Sequence, residues 1–260
     1  IEIAITPNRP DALGVRGIAR DLAARGLGAL KPYPDAVVEG GFVSDISVSI
    51  DDDTLDGCPA FFGRLIRGVR NGPSPAWLQD RLRAIGLRPI SFLVDVTNYF
   101  TYDLNRPLHV FDADKIEGGA LRAHRAAGGE TLVGLDDKEY TFGPDMTLIS
   151  DTSGVESIGG VMGGLRTGCT EETVNVFVEA AYFDPVQIAY SGRALKLHSD
   201  ARYRFERGFD PAFTPLGLHH ACSMILSHAR RPPSNVLRPG AIPHTPRAFR
   251  PNSATAPRLL

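Results

Sequence analysis

Gly119-Ala-Leu-Arg-Ala-His124, Thr131-Leu-Val-Gly-Leu135, Thr147-Leu-Ile-Ser150 and Asn175-Val-Phe-Val178 are short runs of strand character separated by Gly, Asp and Pro. Downstream the period changes, because Asp184 to Arg193 and Pro211 to Arg230 carry helical spacing. Strands grouped in the middle with helices at the flanks favour an α+β fold over a doubly wound one, in which the two would alternate. Upstream, Asp11 is placed to cap a helix whose stripe of Leu13, Ile18 and Leu22 stops near Gly26. Lys31-Pro-Tyr-Pro-Asp35 and Gly40-Gly41 read as a linker, with a domain boundary near residue 40. Ile46 to Ile50 alternates at period two and Phe61 to Val69 is rich in aromatic and branched residues, so the two are expected as paired strands. Ser74-Pro75 is expected to open a helix that aligns Trp77, Leu78, Leu82 and Ile85 toward a sheet and ends at Gly86. Arg231 to Asn235 reads as a second linker, and Ala248 to Leu260 as the opening of a further element.

The 260 residues are 43% hydrophobic and 22% charged, ordinary values for a chain that buries a core. Lys plus Arg number 28 against 30 Asp plus Glu, so any contact with a polyanion must be local. Three widely spaced cysteines, Cys58, Cys169 and Cys222, form neither a zinc pair nor a disulfide framework and suit a reducing, cytoplasmic setting. No apolar run reaches the roughly 20 residues that span a bilayer. A start at Ile1 and an end at Arg258-Leu-Leu260 read as a piece of a longer protein.

Short catalytic motifs are missing: there is no Gly-x-Ser-x-Gly elbow, His-Glu-x-x-His, phosphate loop or Gly-x-Gly-x-x-Gly. Gly159-Gly-Val-Met-Gly-Gly164 would let a ligand touch bare backbone, or would simply form a tight turn between strands. Asp112 and Asp114 could bind a metal, but a hard cation needs about six oxygens and nothing nearby supplies the rest; capping turns is the better use for both. His219, His220 and His228 fall in a helix as satisfied or solvent-facing residues. His109 follows Arg106-Pro-Leu, which ends regular structure, and is expected where a loop enters a strand or turn. Taken by itself, Asp95-Val-Thr-Asn-Tyr99 reads as an ordinary loop.

Several long strings together resemble the bacterial phenylalanyl-tRNA synthetase beta subunit. They are Ile5 to Ala19, Leu87-Arg-Pro-Ile-Ser91, Asp95 to Tyr99, Arg106-Pro-Leu-His-Val-Phe-Asp112, Gly160-Val-Met-Gly-Gly164, Glu179 to Pro185 and Ser199 to Pro211, in the family's order. The resemblance implies a layered β-sandwich of unusual topology with flanking helices, the joined third and fourth beta-chain domains (B3/B4), over residues 41–238. Residues 1–38 would then close the preceding domain, and 239–260 would be a linker and the truncated start of the fifth (B5). By the same resemblance, this unit edits: it hydrolyses mischarged Tyr-tRNAPhe within an enzyme that charges tRNAPhe with phenylalanine. A non-catalytic tRNA-binding or scaffold module is the alternative. The partners implied are tRNAPhe and the alpha subunit, in an alpha2beta2 heterotetramer, with tyrosine as the editing-site ligand. No cofactor is implied for this piece; ATP and magnesium belong with amino-acid activation in the alpha subunit.

A phenylalanine pocket rejects tyrosine only about a hundredfold, whereas a second site that demands the phenolic hydroxyl inverts the selection. Glu179, at the end of the apolar run Val174 to Val178, suits the acceptor, or else caps a turn. Gly160 matches a family position where backbone approaches the tyrosine ring, and Gly159 stands where alanine is frequent, a departure that loosens the pocket slightly. Thr97 and Asn98 match residues lining the site, with turn bonding as their structural alternative. His109 matches the family's site histidine and could orient or deprotonate a water near neutral pH. An aminoacyl ester is labile enough for water attack without a covalent nucleophile.

Overall fold

A computed structural model describes residues 2–33, 37–229 and 231–244. Two sheets and a helical layer are stacked, and each interface between them is a separate apolar core. The first sheet joins β1 (Ser47–Ile50), β4 (Ala120–Arg125), β7 (Thr147–Ser150), β8 (Val155–Ile158) and β9 (Met162–Gly163) in that spatial order; β1 runs parallel to β4 and the other pairs are antiparallel. The second sheet places β10 (Val176–Tyr182) between β2 (Ala60–Ile66) and β3 (His109–Asp112). A two-stranded ribbon, β5 (Thr131–Val133) and β6 (Glu139–Thr141), forms a third, small sheet and sends Leu132 into the first core. This is the α+β class expected from the strand-rich middle, in the layered form that the resemblance implies.

Alternation along β10 separates the two cores, since successive side chains point to opposite faces. Phe177 and Ala181 join Phe61, Leu65 and Phe111 against Leu121, Ala123, Leu148, Ile149 and Ile158 of the first sheet. α4 (Pro185–Ala194) and α5 (Asp200–Phe205) close that core with Ile188 and Phe205. Val176, Val178 and Ala180 pack instead on α2 (Ala76–Ala84), α3 (Phe92–Leu104) and α6 (Phe213–Leu226). Covered on both faces, β10 is a nearly continuous apolar run without a polar period.

Several local expectations change once the chain is folded. The strands at residues 47–50 and 60–66 are not partners: β1 pairs with β4, and β2 with β10. Strand propensity does not carry partner choice, which packing decides. Asp11 does not cap the first helix. α1 (Val15–Ala24) begins after Gly14, and Asp11 pairs with Arg9 and Arg20. Ser74 spends its hydroxyl on Asp95 at 2.6 Å rather than on a cap, and α2 lies beside α3, burying Leu78 and Leu82 in the core under the three-stranded sheet while Trp77 and Ile85 face out. Residues 95–99 lie inside α3, whose buried Phe92, Leu93, Val96 and Phe100 have helical spacing. Val96, Thr97 and Asn98 are weak helix formers, so the signal there is tertiary.

The stretch read as a second linker is part of the fold. Leu237 and Gly240 bridge Gly63 and Ala60 at the free edge of β2, and Ser234 bridges Phe42. Arg64, almost wholly buried, donates from Nε to the Ser234 carbonyl at 2.8 Å and from its terminal nitrogen to the Val38 carbonyl at 2.6 Å, tying the incoming and outgoing chain together. The further element expected from residue 248 lies outside the described residues. Among the described residues no helix is long and apolar enough to cross a membrane.

Candidate functional site

Glu179 is the one charged side chain on β10, and it sits at the centre of the three-stranded sheet. Its register partners are His109 on β3 and Gly63 on β2. Residues directly opposite in an antiparallel pair project to the same face, so His109 and Glu179 stand side by side, looking toward the first core. His109 meets the Phe111 ring edge to face at 4.3 Å. Behind the imidazole runs β9: a methyl group on Gly163 would collide with His109 Cε1 and stand 2.8 Å from Nε2. The closeness of that backbone requires glycine.

Glu179 is buried, His109 is half-buried with its Nε2 shielded from solvent, and both are incompletely bonded. His109 Nε2 and Glu179 Oε2 have no hydrogen-bond partner. Burial lowers the His109 pKa to about 4, so its ring is neutral at physiological pH and acts as a weaker base than a free imidazole. Burial raises Glu179 to about 8, and the positive charge of Arg106 draws it part of the way back. Cys58 is pushed up as well, by burial and then by the neighbouring Glu179 charge, and remains a thiol.

Arg106 supplies the cation of this neighbourhood. It is fully buried, donating to the Pro107 carbonyl at 2.7 Å and to the Ala181 carbonyl at 2.8 Å, two residues along β10 from Glu179. Its guanidinium lies 4.6 Å from the Phe209 ring centroid, and a methyl group on Gly217 would stand 2.6 Å from its Cγ. Burial lowers the Arg106 pKa to about 9, which leaves it charged at neutral pH. Neither Arg106 nor Gly163 was singled out for the site from sequence. The signal for Gly163 was its membership of the glycine cluster; a buried arginine leaves no mark in a linear pattern.

The remaining site residues are dispersed. Gly159 and Gly160 form the turn between β8 and β9, where Gly160 has a φ of +68°, a left-handed conformation suited to glycine. Phe183 and Ile188 fill the space in front of them: a methyl group would stand 2.8 Å from Phe183 at Gly159 and 2.9 Å from Ile188 at Gly160. Thr97 and Asn98 ride on α3, which packs on the other face of the β2–β10–β3 sheet. Thr97 donates to the Val94 carbonyl at 2.8 Å and its own carbonyl accepts from Thr101. The fold thus unites His109 and Glu179, sets Gly159 and Gly160 on the same side of the sheet, and keeps Thr97 and Asn98 behind it. Two surface clefts, about 340 Å³ beside His198 and Tyr203 and about 830 Å³ between Arg16, Tyr182 and Phe213, include neither His109 nor Glu179. Asp112 accepts from Thr173 at 2.7 Å and from the Asp114 amide, while Asp114 accepts from Asn175, so both carboxylates are engaged in local structure.

The sequence of this layered fold matches a known class of domain. The model of the B3/4 domain matches residues 57–230, and the chain belongs to that family. Its curated relatives are beta subunits of phenylalanine–tRNA ligase. That of Ruegeria pomeroyi is 69% identical, covering 96% of this chain and 31% of its own length. That of Cereibacter sphaeroides is 62% identical with the same coverage, 96% and 31%. The chain therefore spans about a third of the length of these relatives. An N-terminal fragment of the phenylalanyl-tRNA synthetase beta subunit from Pyrococcus horikoshii aligns with a TM-score of 0.42 at 20% identity, over 68% of this chain and 53% of that one.

Proposed function

We propose that this chain is the editing module of a phenylalanine–tRNA ligase beta subunit and hydrolyses the ester of Tyr-tRNAPhe. The observation that carries the proposal is the pair of unpartnered polar atoms, His109 Nε2 and Glu179 Oε2, buried side by side on adjacent strands. Leaving such a group unmet costs about 1–3 kcal/mol, and a phenolic hydroxyl placed against Glu179 would remove that cost whereas a phenyl ring would not. Protonated or ionised, the carboxyl offers an acceptor oxygen, so the reading does not depend on its charge state. A neutral His109 can accept a hydrogen bond from a water and hold it for attack on the ester carbonyl. Reaction without a covalent nucleophile suits a site whose Cys58 stays a buried thiol. Gly159 and Gly160 would approach the ring after Phe183 and Ile188 yield, and Thr97 and Asn98, on α3, would act from the other face of the sheet.

The same proposal assigns residues 41–238 to the editing unit, 1–38 to the end of the preceding domain and 239–260 to the start of the next. Its partners are tRNAPhe and an alpha subunit, where ATP and magnesium serve amino-acid activation. The test is deacylation by the assembled alpha–beta enzyme. Tyr-tRNAPhe should be cleaved and Phe-tRNAPhe spared, Glu179→Ala should erase that preference, and His109→Ala should slow cleavage about 10²-fold or more. Equal rates on both substrates in the unaltered enzyme would refute hydroxyl reading, and no cleavage of either would leave a tRNA-binding or scaffold role.

A further inference from the structure

The outer face of α2 carries a feature that neither the core nor the His109–Glu179 pair uses. Trp77, Arg81 and Ile85 recur every four residues and so form one stripe. Leu78 and Leu82 fill the buried face of the helix, yet Trp77, the sole tryptophan of the chain, is 45% exposed. Its ring is held in place. The Arg81 guanidinium lies 5.2 Å from the Trp77 centroid and 5.8 Å from that of Tyr99 on α3, and it donates to the Tyr99 hydroxyl at 2.9 Å. Trp77 and Tyr99 meet edge to face at 5.8 Å. Three side chains from two helices thus form an ordered surface platform.

The surroundings are basic although the whole chain has a net charge of −2. Residues 70–90 contain Arg70, Arg81, Arg83 and Arg88 against a single acid, Asp80, which Arg83 neutralises at 3.2 Å. All four arginines are exposed. Two further acids lie on α3: Asp95, buried and accepting from the Ser74 hydroxyl and the Ile90 amide, and Asp103, half-buried beneath Tyr99 and Tyr33. An exposed aromatic face among arginines, on a rigid support, is the combination by which proteins hold single-stranded nucleic acid: bases stack on the ring and phosphates meet the cations.

We infer that the Trp77–Arg81–Tyr99 platform docks a single-stranded RNA end, with one base stacked on Trp77 and the backbone phosphates led past Arg81, Arg83 and Arg88. The inference rests on the proposed editing reaction, because it states where the RNA part of the ester substrate is held. Tyr99 directly follows Thr97 and Asn98 on α3, the two residues that the resemblance attaches to the site.

Because Trp77 is the sole tryptophan, its fluorescence in the 260-residue chain reports the platform directly. Titration with a short single-stranded RNA ending in the tRNA acceptor sequence should quench the emission saturably, and rising salt should weaken the effect. In the assembled enzyme, Trp77→Ala should raise the KM for Tyr-tRNAPhe deacylation about five- to hundredfold, with a smaller change in kcat, and Trp77→Phe should restore most of the loss. Arg81→Gln should raise KM and reduce the salt dependence. An enzyme that deacylates Tyr-tRNAPhe with an unaltered KM in Trp77→Ala would overturn the platform while leaving the editing proposal intact. So would emission that ignores RNA but responds to the alpha subunit, which would mark this face as a protein contact.

Discussion

Glu179→Gln should make the protein more stable at neutral pH. Burial raises this carboxyl from 4.5 to about 8. Between those values the folded state keeps a proton that the unfolded chain has lost. Stability from this group is therefore complete below pH 4.5, falls as the pH rises toward 8 and is level beyond. At about 1.4 kcal/mol per pH unit, Glu179 costs about 3 kcal/mol at pH 7 and between 4 and 5 kcal/mol at pH 8, taken as an order of magnitude. A neutral glutamine of similar shape has no such slope. It buries an amide with its own unmet donors, but that cost is the same at every pH. His109 slopes the other way, since a ring lowered to about 4 loses stability as the pH falls from 6.5 to 4. The histidine is present in both proteins, so its term cancels in their difference. Urea unfolding of both proteins at pH 4.5, 6, 7 and 8 measures that difference. The gain from Glu179→Gln should grow by several kcal/mol across the series. A difference independent of pH would show that Glu179 is solvated or fully paired by Arg106 in solution, and the account of an unmet acceptor would fall with it.

Two further substitutions test the supports of the site. Gly163→Ala should push the His109 ring aside at a cost of about 1–3 kcal/mol in stability, and should reduce deacylation about a hundredfold by displacing the imidazole; a wild-type rate in a folded variant would remove β9 from the site. Arg64→Met should leave the Val38 and Ser234 carbonyls unpaired and cost about 2–4 kcal/mol. Limited trypsin digestion should then cut first at Arg231 or Arg238, and unchanged resistance there would show that the edge pairing with β2 holds without the arginine.

The sequence by itself determined the class of the fold. Period-two runs between residues 119 and 180, followed by helical spacing, distinguish an α+β layering from an alternating one, because side-chain period is a local property of strand and helix geometry. It also determined the family, since seven strings in fixed order are preserved across the chain, and it singled out His109 and Glu179 separately, 70 positions apart in the numbering. Only the tertiary structure decided which strands pair. β1 and β2 have similar propensity but belong to different sheets, and the register that sets Glu179 opposite His109 depends on packing across both faces of β10. Residues 95–99 became helical for the same reason: the apolar contacts of α3 outweigh its weak intrinsic preference. Burial completed the site, shifting a carboxyl and an imidazole away from their solution values and adding Arg106 and Gly163, whose roles come from what surrounds them. Desolvation and register depend on distances through space, and a linear order of residues fixes those only after the chain has closed on itself.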